Sequence, residues 1–179
     1  LDQQGMMQLY KDIELPLCDV LYRMERSGIA IDRDQLSQFE AMLSQRIREC
    51  ENLIYGYSEE AFNINSTKQL GELLFEKLGL PVIKKTKTGY STNAEVLEKL
   101  RNQHPIIPAI MDYRMLTKLH STYADGLLKV IGEDGRIHTT FQNLVTATGR
   151  LSSTEPNLQN IPVRTDLGAE IRKMFIPKE

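Results

Sequence analysis

The sequence predicts a mainly α-helical fold of the α+β class, in which a few short β-strands enter only near the end. Apolar residues recur at intervals of three and four over most of the first two thirds of the 179 residues, which is the spacing of an amphipathic helix. After Gly135, the branched and aromatic residues of 137–141 favour a strand. No internal repeat or low-complexity tract is visible.

The first helix is predicted from Ile13 to Glu25 and the second from Asp32 or Asp34 to about Tyr55. Gly28 is expected to end the first helix as a left-handed cap, and a short apolar bridge, Ile29-Ala30-Ile31, follows. The apolar faces are expected to consist of Ile13, Leu17, Val20, Leu21 and Met24 in the first helix, and of Leu36, Phe39, Leu43, Ile47 and either Leu53 or Ile54 in the second.

A helical hairpin with a basic loop at its tip is predicted next. Ser66 is a good N-cap for a helix that runs to Leu78, and helical spacing resumes from Ala94 to Leu100. The loop between them, residues 83–93, carries three lysines and several hydroxyl side chains.

Beyond the prolines at 105 and 108, a longer helix is predicted from about Ala109 to Val130. A turn of the Asp-Gly type at 133–136 then leads into a strand at 137–141. A second short strand is predicted at 172–176.

Charge is distributed unevenly along the chain, although the formal net charge is only −2. Residues 1–62 hold 6 basic and 12 acidic side chains, residues 63–122 hold 9 and 5, and residues 123–179 hold 7 and 7. A basic middle region favours contact with a polyanion. An excess of this size is equally compatible with a solvated helical surface.

The two cysteines, Cys18 and Cys50, are too few for a disulfide framework and show no zinc-ligand spacing. Reduced thiols and a cytoplasmic location are therefore expected. No apolar run approaches the ~20 residues that span a bilayer, and no signal peptide is evident. Because the chain begins with Leu1 and ends at Glu179 without a natural terminator, we expect a piece of a longer protein.

The basic loop is the first candidate site. Lys84, Lys85 and Lys87 supply positive charges, while Thr86, Thr88, Ser91 and Thr92 supply hydroxyl donors for phosphate oxygens. The predicted helix start at Ser66 also favours an anion, and Asn65 and Lys68 lie beside it. A flexible, solvated lysine loop without a ligand is the alternative.

The polar segment 146–164 is the second candidate site, since Gly149, Pro156 and Pro162 hold it in irregular backbone. Arg150 carries a planar fork of donors that can reach acceptors in the minor groove of a duplex. A structural ion pair with Glu155 or another carboxylate would equally explain this arginine. Asn157, Gln159 and Asn160 add amide groups, which also serve as turn-formers or caps.

Other chemistries find little support. Ser152 and Ser153 lack the Gly-x-Ser-x-Gly context of a hydrolase nucleophile, and the loop at 84–91 has a single glycine, unlike a nucleotide-binding phosphate loop. The three histidines lie in different predicted elements. We expect no catalytic residue and no metal site within this chain.

The segments Thr148-Gly149-Arg150-Leu151-Ser152-Ser153 and Pro156-Asn157-Leu158-Gln159-Asn160-Ile161-Pro162 resemble the signature of the family A DNA polymerases, those of the bacterial DNA polymerase I type. Residues 13–17, 24–29, 62–71, 84–92 and 118–123 also resemble this family. The resemblance covers nearly the whole chain. It implies a helical thumb followed by the first strands of the palm.

On this resemblance, Arg150 would contact the minor groove at the primer terminus, with Asn157, Gln159 and Asn160 near the template–primer duplex. Phosphate contacts would come from Asn65, Ser66, Lys68, Lys84, Lys85, Thr86, Lys87, Ser91, Thr92, Lys118, Ser121 and Thr122. Two positions depart from the family pattern. His120 stands where many relatives have lysine, and Gln142-Asn143-Leu144 replaces Asn-Gln-Thr.

The resemblance also implies a division into a helical segment (1–62), a DNA-gripping thumb (63–130) and the start of the palm (131–179). The parent enzyme would use Mg²⁺ held by paired aspartates that follow Glu179, so this chain alone is expected to catalyse nothing. Its expected partners are primer–template DNA and the remaining palm and fingers. A monomeric, cytoplasmic, nucleoid-associated bacterial protein is implied. The alternative is a non-catalytic helical module that binds protein.

Overall fold

A computed structural model describes residues 1–58, 60–87, 89–163 and 165–177 of the chain. The chain divides into two compact units. One combines Leu1–Glu40 with Ser121–Glu179, and the other is the continuous stretch Ala41–His120. The mainly helical class predicted from the sequence is confirmed.

The helices follow the predicted order closely. A 3₁₀ turn at Asp2–Gln4 precedes helix α1, which consists of Met7–Leu9, a π-helical turn Tyr10–Glu14 and Leu15–Ser27. The others are α2 (Arg33–Tyr55), α3 (Thr67–Glu72, continued by a π-helical turn Leu73–Lys77), α4 (Ala94–Leu100), α5 (Ile106–Leu119, followed by a π-helical turn His120–Ala124), α6 (Asp125–Leu128) and α7 (Asp166–Lys173).

Side-chain caps explain where several helices begin. The Asp32 carboxylate accepts the Gln35 N–H at 2.9 Å, Ser66 Oγ accepts the Gln69 N–H at 3.4 Å, and Asn93 Oδ1 accepts the Val96 N–H at 2.9 Å. Each bond satisfies one of the amides that a helix start leaves unpaired. Helix α5 begins at Ile106 rather than at Ala109. Pro108 falls within its first turn, where a missing N–H costs nothing.

The unit Ala41–His120 is built around an apolar core shared by α2, α3, α4 and α5. Leu70, Leu74, Leu100, Ile106 and Ile110 are fully buried in it. The predicted choice between Leu53 and Ile54 is settled in favour of Ile54, which is fully buried while Leu53 is 47% exposed. A small hairpin of β2 (Lys85–Thr86) and β3 (Gly89–Tyr90) joins α3 to α4.

The other unit contains a three-stranded sheet in the order β4–β1–β7, with β1 (Ile29–Ile31) between β4 (Arg136–Ile137) and β7 (Phe175–Ile176). Both pairings of β1 are antiparallel, with Ile29 opposite Ile137 and Ala30 opposite Ile176. The stretch predicted as an apolar bridge is therefore the central strand. Ile31 and Ile137 are buried, which gives the short strands their apolar support.

A second pair of strands in this unit comprises β5 (Thr140–Gln142) and β6 (Ser152–Thr154), with Phe141 opposite Ser153. The single strand predicted at 137–141 is thus two strands, β4 and β5, which belong to different sheets. The strand predicted at 172–176 is wrong in its first half. Thr165 Oγ1 accepts the Gly168 N–H at 3.1 Å and starts α7, so only Phe175 and Ile176 are extended.

The apolar face predicted for the first helix is largely exposed to solvent. Leu21 is buried, but Ile13, Val20 and Met24 are each about half exposed, at 55%, 51% and 47%. The helical periodicity therefore identified the helix correctly, although most of this face is not covered within the described residues.

Candidate nucleic-acid interface

A groove of about 620 Å³ opens on the unit Ala41–His120 and brings together residues from the two predicted anion-binding features. It collects the side chains of the α3 start, the β2–β3 hairpin, the α4 cap and α5. The lining consists of Asn65, Thr67, Lys68, Thr86, Tyr90, Ser91, Thr92, Asn93 and Arg114.

The start of α3 forms one wall of this groove. Asn65 is held by a contact between its Nδ2 and the hydroxyl of Tyr113, 3.2 Å away, and its own N–H donates to Asn63 Oδ1 at 2.9 Å. Ser66 uses its hydroxyl as the helix cap. Lys68 is exposed, with its ammonium 3.9 Å from Glu72, which leaves it solvated beside the helix start.

The β2–β3 hairpin forms the other wall and carries the lysines. Lys84, Lys85, Thr86 and Lys87 are all exposed, and the Lys85 ammonium lies 5.8 Å from the centre of the Tyr90 ring. Of the hydroxyl residues predicted in this loop, Thr88 lies outside the described residues. The described residues of the loop thus form a hairpin whose lysines are exposed to solvent.

Ser91 and Thr92 are buried, with 7% and 4% of their surfaces exposed. Arg114 satisfies the buried Thr92, because its Nη2 donates to Thr92 Oγ1 at 3.0 Å and its Nη1 donates to the Thr92 carbonyl. The guanidinium itself is partly buried, and burial lowers the pKa of Arg114. A cation therefore lies at the floor of the groove.

Arg114 was missed by sequence reasoning, since it lies in the middle of an apolar helix rather than in a polar loop. Its neighbours Tyr113 and Leu116 are buried. A charged residue one helical turn after the buried Ile110 indicates a partly buried cation that needs a polar partner. That is the signal that could have identified it.

Further along the chain, Lys118 lies four residues after Arg114 on α5, and its side chain is exposed. Ser121 and Thr122 are exposed as well. His120, the departure from the family pattern, has its Nε2 at 3.0 Å from Ser44 Oγ. This histidine is therefore engaged in packing between helices of its own unit.

The signature segment is placed in the unit of Leu1–Glu40 and Ser121–Glu179. Arg150 is exposed, and within the described part of the chain its guanidinium forms no ion pair with a carboxylate. Its backbone is fixed, because Thr146 Oγ1 donates to the Arg150 carbonyl at 2.5 Å. The ion pair with Glu155 that the sequence left open is not formed.

The amides of the signature segment serve partly to fold it. Asn157 Oδ1 accepts the Gln159 N–H at 3.0 Å, and Gln159 Nε2 donates to the Leu151 carbonyl at 2.6 Å. Asn160 contributes its backbone carbonyl, which accepts from the Tyr123 hydroxyl. All three side chains remain exposed, so groups not used in these bonds face solvent.

Ser153 is a second residue whose role the sequence did not reveal. Its side chain is fully buried, and its hydroxyl accepts the Leu158 N–H at 3.0 Å. Thr139 acts similarly, since its hydroxyl contacts the carbonyls of Thr154 and Pro156 at 3.0 and 2.7 Å. These hydroxyls hold the segment in its irregular path.

Neither a metal centre nor a membrane span emerges from the described ranges. No group of three or more His, Cys, Asp or Glu side chains there is arranged to hold a metal ion. Among these same residues, none of the helices has the length and apolar character needed to cross a membrane.

Comparison with known proteins defines the class to which this fold and site belong. Residues 33–179 match the family model described as DNA polymerase family A. The chain belongs to this family, and the resemblance found in the signature segment is confirmed.

Among curated proteins, the chain is 55% identical over 179 residues to DNA polymerase I of Caldicellulosiruptor bescii, covering 99% of this chain and 21% of that protein. It is 50% identical to DNA polymerase I of Bacillus subtilis over 180 residues, covering 100% of this chain and 20% of that protein. The chain thus spans about a fifth of the length of these relatives.

Among solved structures, one match is the POL domain of Pol1 from M. smegmatis in complex with DNA primer-template and dNTP. It superimposes with a TM-score of 0.91 at 43% sequence identity, covering 100% of this chain and 32% of that one.

Proposed function

We propose that this chain is the template–primer-binding part of a DNA-directed DNA polymerase. The observation that carries the proposal is the groove on the unit Ala41–His120, which gathers Asn65, Lys68, Thr86, Ser91 and Thr92 around Arg114 beside an exposed lysine hairpin. The name of the M. smegmatis structure, a family member bound to DNA primer-template, supports this assignment.

The groove suits phosphate rather than base edges. Ammonium groups, hydroxyls and a helix N-terminus attract the duplex backbone without reading its sequence. A polymerase requires this property, since it must hold every template equally. We carry forward all twelve residues that the resemblance implies, from Asn65 to Thr122. Ten of them are proposed to contact phosphate directly, and the buried Ser91 and Thr92 are proposed to act through the turn that Arg114 holds.

Arg150 is assigned to the minor groove of the duplex. Purine N3 and pyrimidine O2 occupy similar places in every correctly shaped base pair, so a guanidinium that contacts them checks shape without reading sequence. Its exposure and its lack of a carboxylate partner among the described residues support this role. Asn157, Gln159 and Asn160 would lie beside the same duplex.

The parent protein would add deoxynucleotides to a primer, in the cytoplasm of a bacterium at its nucleoid and as a monomer. Its Mg²⁺ ions, when bound, would stabilise the attacking and leaving oxygens. This chain is assigned no catalytic step in the same proposal, as the resemblance implies. The division into segments 1–62, 63–130 and 131–179 is part of the same proposal, with palm and fingers as further partners.

A helical module that binds protein is the second candidate function. The half-exposed apolar residues Ile13, Val20 and Met24 of α1 favour it. Such an interface would depend little on salt, whereas phosphate contacts release counterions and give a steep dependence.

The test is anisotropy of a fluorescent primer–template across a salt series. Changing Lys84, Lys85 and Lys87 together to alanine should weaken binding and reduce the log–log salt slope by roughly 0.9 for each phosphate that is no longer neutralised. A matched control removes three other cations of the same unit, Lys77, Lys99 and Arg101, which pair with nearby carboxylates.

The control variant should bind with nearly the wild-type slope. Equal effects of the two triple variants would show that only overall charge matters and would reject the groove as the binding site. Separately, nucleotide incorporation by the purified 179-residue chain would contradict its assignment as non-catalytic.

A further inference from the structure

The ring of His138 joins a helix end to a turn in the unit of Leu1–Glu40 and Ser121–Glu179. Its Nδ1 lies 2.7 Å from the Glu25 carbonyl oxygen at the end of α1, and its Nε2 lies 3.0 Å from Asp134 Oδ2. Both partners can only accept a hydrogen bond. A neutral imidazole has a single N–H, so only the imidazolium form can donate to both.

The charged groups around this ring are Asp134, Arg136 and Glu25. Arg136 is occupied with the same helix end, since its Nε and Nη2 donate to the carbonyls of Ser27 and Gly28 at 2.5 and 3.0 Å. The Glu25 carboxylate accepts the Phe141 N–H at 2.6 Å. Two cationic side chains thus meet the carbonyl end of α1, where the helix dipole favours positive charge.

The environment favours the protonated ring. The Glu25 carbonyl and then the Asp134 carboxylate raise the pKa of His138 above its ordinary value, against smaller opposing influences of burial and then of Arg136. In turn, the bond from His138 lowers the pKa of Asp134. With its side chain 40% exposed, His138 exchanges protons with solvent.

The contacts of His138 with Glu25 and Asp134 also position the strand that leads to the signature segment. Glu25 provides both the carbonyl that His138 binds and the carboxylate that fixes Phe141 at the centre of β5. Strand β5 pairs with β6, which begins two residues after Arg150. Loss of the His138 contact with Glu25 is therefore transmitted through Phe141 to the β5–β6 hairpin, whose connecting loop contains Arg150.

We propose that His138 is a positioning residue, whose protonated ring ties the end of α1 to the Asp134 turn and thereby fixes the β5–β6 hairpin beside Arg150. Loss of one proton leaves either the Glu25 carbonyl or the Asp134 carboxylate without its donor, and the hairpin loosens as the pH rises. The tie itself is independent of the proposed function, and only its consequence for Arg150 rests on DNA binding.

Hydrogen exchange in the intact protein tests the tie, with Asp134→Asn as the decisive variant. An asparagine keeps an oxygen that can accept the Arg136 N–H, as Asp134 Oδ1 does at 3.1 Å, and it offers an N–H₂ to a neutral His138 Nε2. After correction for intrinsic exchange, protection of the Phe141 amide should fall several-fold in the wild type as His138 deprotonates. It should stay level in the variant.

His138→Gln should remove the pH dependence, and His104→Gln, at a histidine of the other unit, should retain it. Parallel pH profiles of Phe141 amide protection in wild type and Asp134→Asn would contradict the proposed role of the protonated His138 ring.

Primer–template affinity over the same pH range tests the consequence. Affinity of the wild type should fall several-fold more than that of Asp134→Asn. Equal falls in both proteins would overturn the positioning of Arg150. Absence of DNA binding at every pH would reject the proposed function, while the exchange data would still decide whether the tie exists.

Discussion

At the scale of single residues, Arg114 shows how one side chain organises the groove. Its planar guanidinium reaches a hydroxyl and a carbonyl of the same residue, Thr92. A lysine ammonium at this position would lack the fork that makes both bonds at once. The turn at Ser91 and Thr92 therefore depends on the shape of the arginine as well as on its charge.

Arg114→Lys should lower the free energy of unfolding by about 1–2 kcal/mol, because a buried carbonyl or hydroxyl loses its donor. Affinity for primer–template should fall while net charge is unchanged. Denaturant unfolding and anisotropy measure the two effects. Arg101→Lys, at an exposed arginine 3.3 Å from Glu98, is the control and should change neither, and an equally mild result for Arg114→Lys would contradict the role assigned to it.

Gly28 is required both by its backbone and by a neighbour. Its φ is 62° with ψ of −179°, so the positive φ is as predicted, although the ψ places it outside the left-handed helical region, in a conformation open essentially to glycine alone. A Cβ at this position would lie 2.7 Å from the His138 ring.

Gly28→Ala should therefore destabilise the unit of Leu1–Glu40 and Ser121–Glu179 by more than the ~1–3 kcal/mol of backbone strain alone. Gly135→Ala is the matched control, since its φ is 72° and nothing lies within 4 Å of the added carbon. Thermal unfolding of both variants separates the strain of the positive φ from the close approach of the His138 ring. Equal losses would mean that the His138 ring moves aside without cost.

At the scale of elements, helix caps account for much of what the sequence revealed. Asp32 caps α2 through the Gln35 N–H, and this bond lowers the pKa of the Asp32 carboxyl. A carboxylate with a lowered pKa in the folded state stabilises the protein above its unfolded pKa of about 3.9. That contribution is lost as the pH falls through the folded value.

Asp32→Asn should abolish this contribution to acid sensitivity, because an amide oxygen caps the helix at every pH. Denaturant midpoints of wild type and variant measured from pH 6 to pH 2 should converge as the acid limit is approached. Asp34→Asn, two residues further along the chain, should leave the wild-type pH profile intact. A variant curve that runs parallel to the wild type would exclude the cap as a source of acid sensitivity.

Helices were predictable from local pattern, whereas the bounds and pairing of the strands were not. Leu36, Phe39 and Leu43 recur at helical spacing and are all buried, so α2 follows from its own sequence. Strand β1 has three residues, and its partners lie more than 100 residues further along the chain. No local signal identifies such a strand. A short strand was predicted at 172–176, but the Thr165 cap makes Arg172 and Lys173 helical.

The residues of the candidate site divide in the same way, into those visible in the local sequence and those whose partners are brought to them by folding. Lys84, Lys85 and Lys87 were found because a basic loop is visible in the sequence, and they are exposed as expected. Their role in binding DNA stays a prediction. Arg114 was not found because its partner, Thr92, is brought to it by folding.

At the scale of the whole molecule, the core of the continuous unit and the face of α1 bury their apolar residues to different extents. Leu70 and Ile110 are fully buried in the unit Ala41–His120, whereas Ile13 and Val20 of α1 are about half exposed. The core of the continuous unit is therefore complete with its own residues. The apolar face of α1 remains partly exposed to solvent.

Leu70→Ala should destabilise the protein by about 2–5 kcal/mol through reduced burial and a residual cavity. Ile13→Ala should change stability by at most about 0.5 kcal/mol, as for other surface positions. Urea unfolding of the purified 179-residue chain compares the two. A large loss for Ile13→Ala would show that this face is covered in solution, by a second copy or by rearrangement of the chain.

The sheet β4–β1–β7 also determines the order in which the chain can fold as it leaves the ribosome. The Ala41–His120 unit is continuous, so its core can form as soon as those residues have emerged. Ala30 pairs with Ile176, so β1 must wait for almost 150 further residues before its sheet is complete. Closing so long a loop carries an entropic cost and slows formation. During synthesis the central strand would stay unpaired on its β7 side while the inserted unit is already folded.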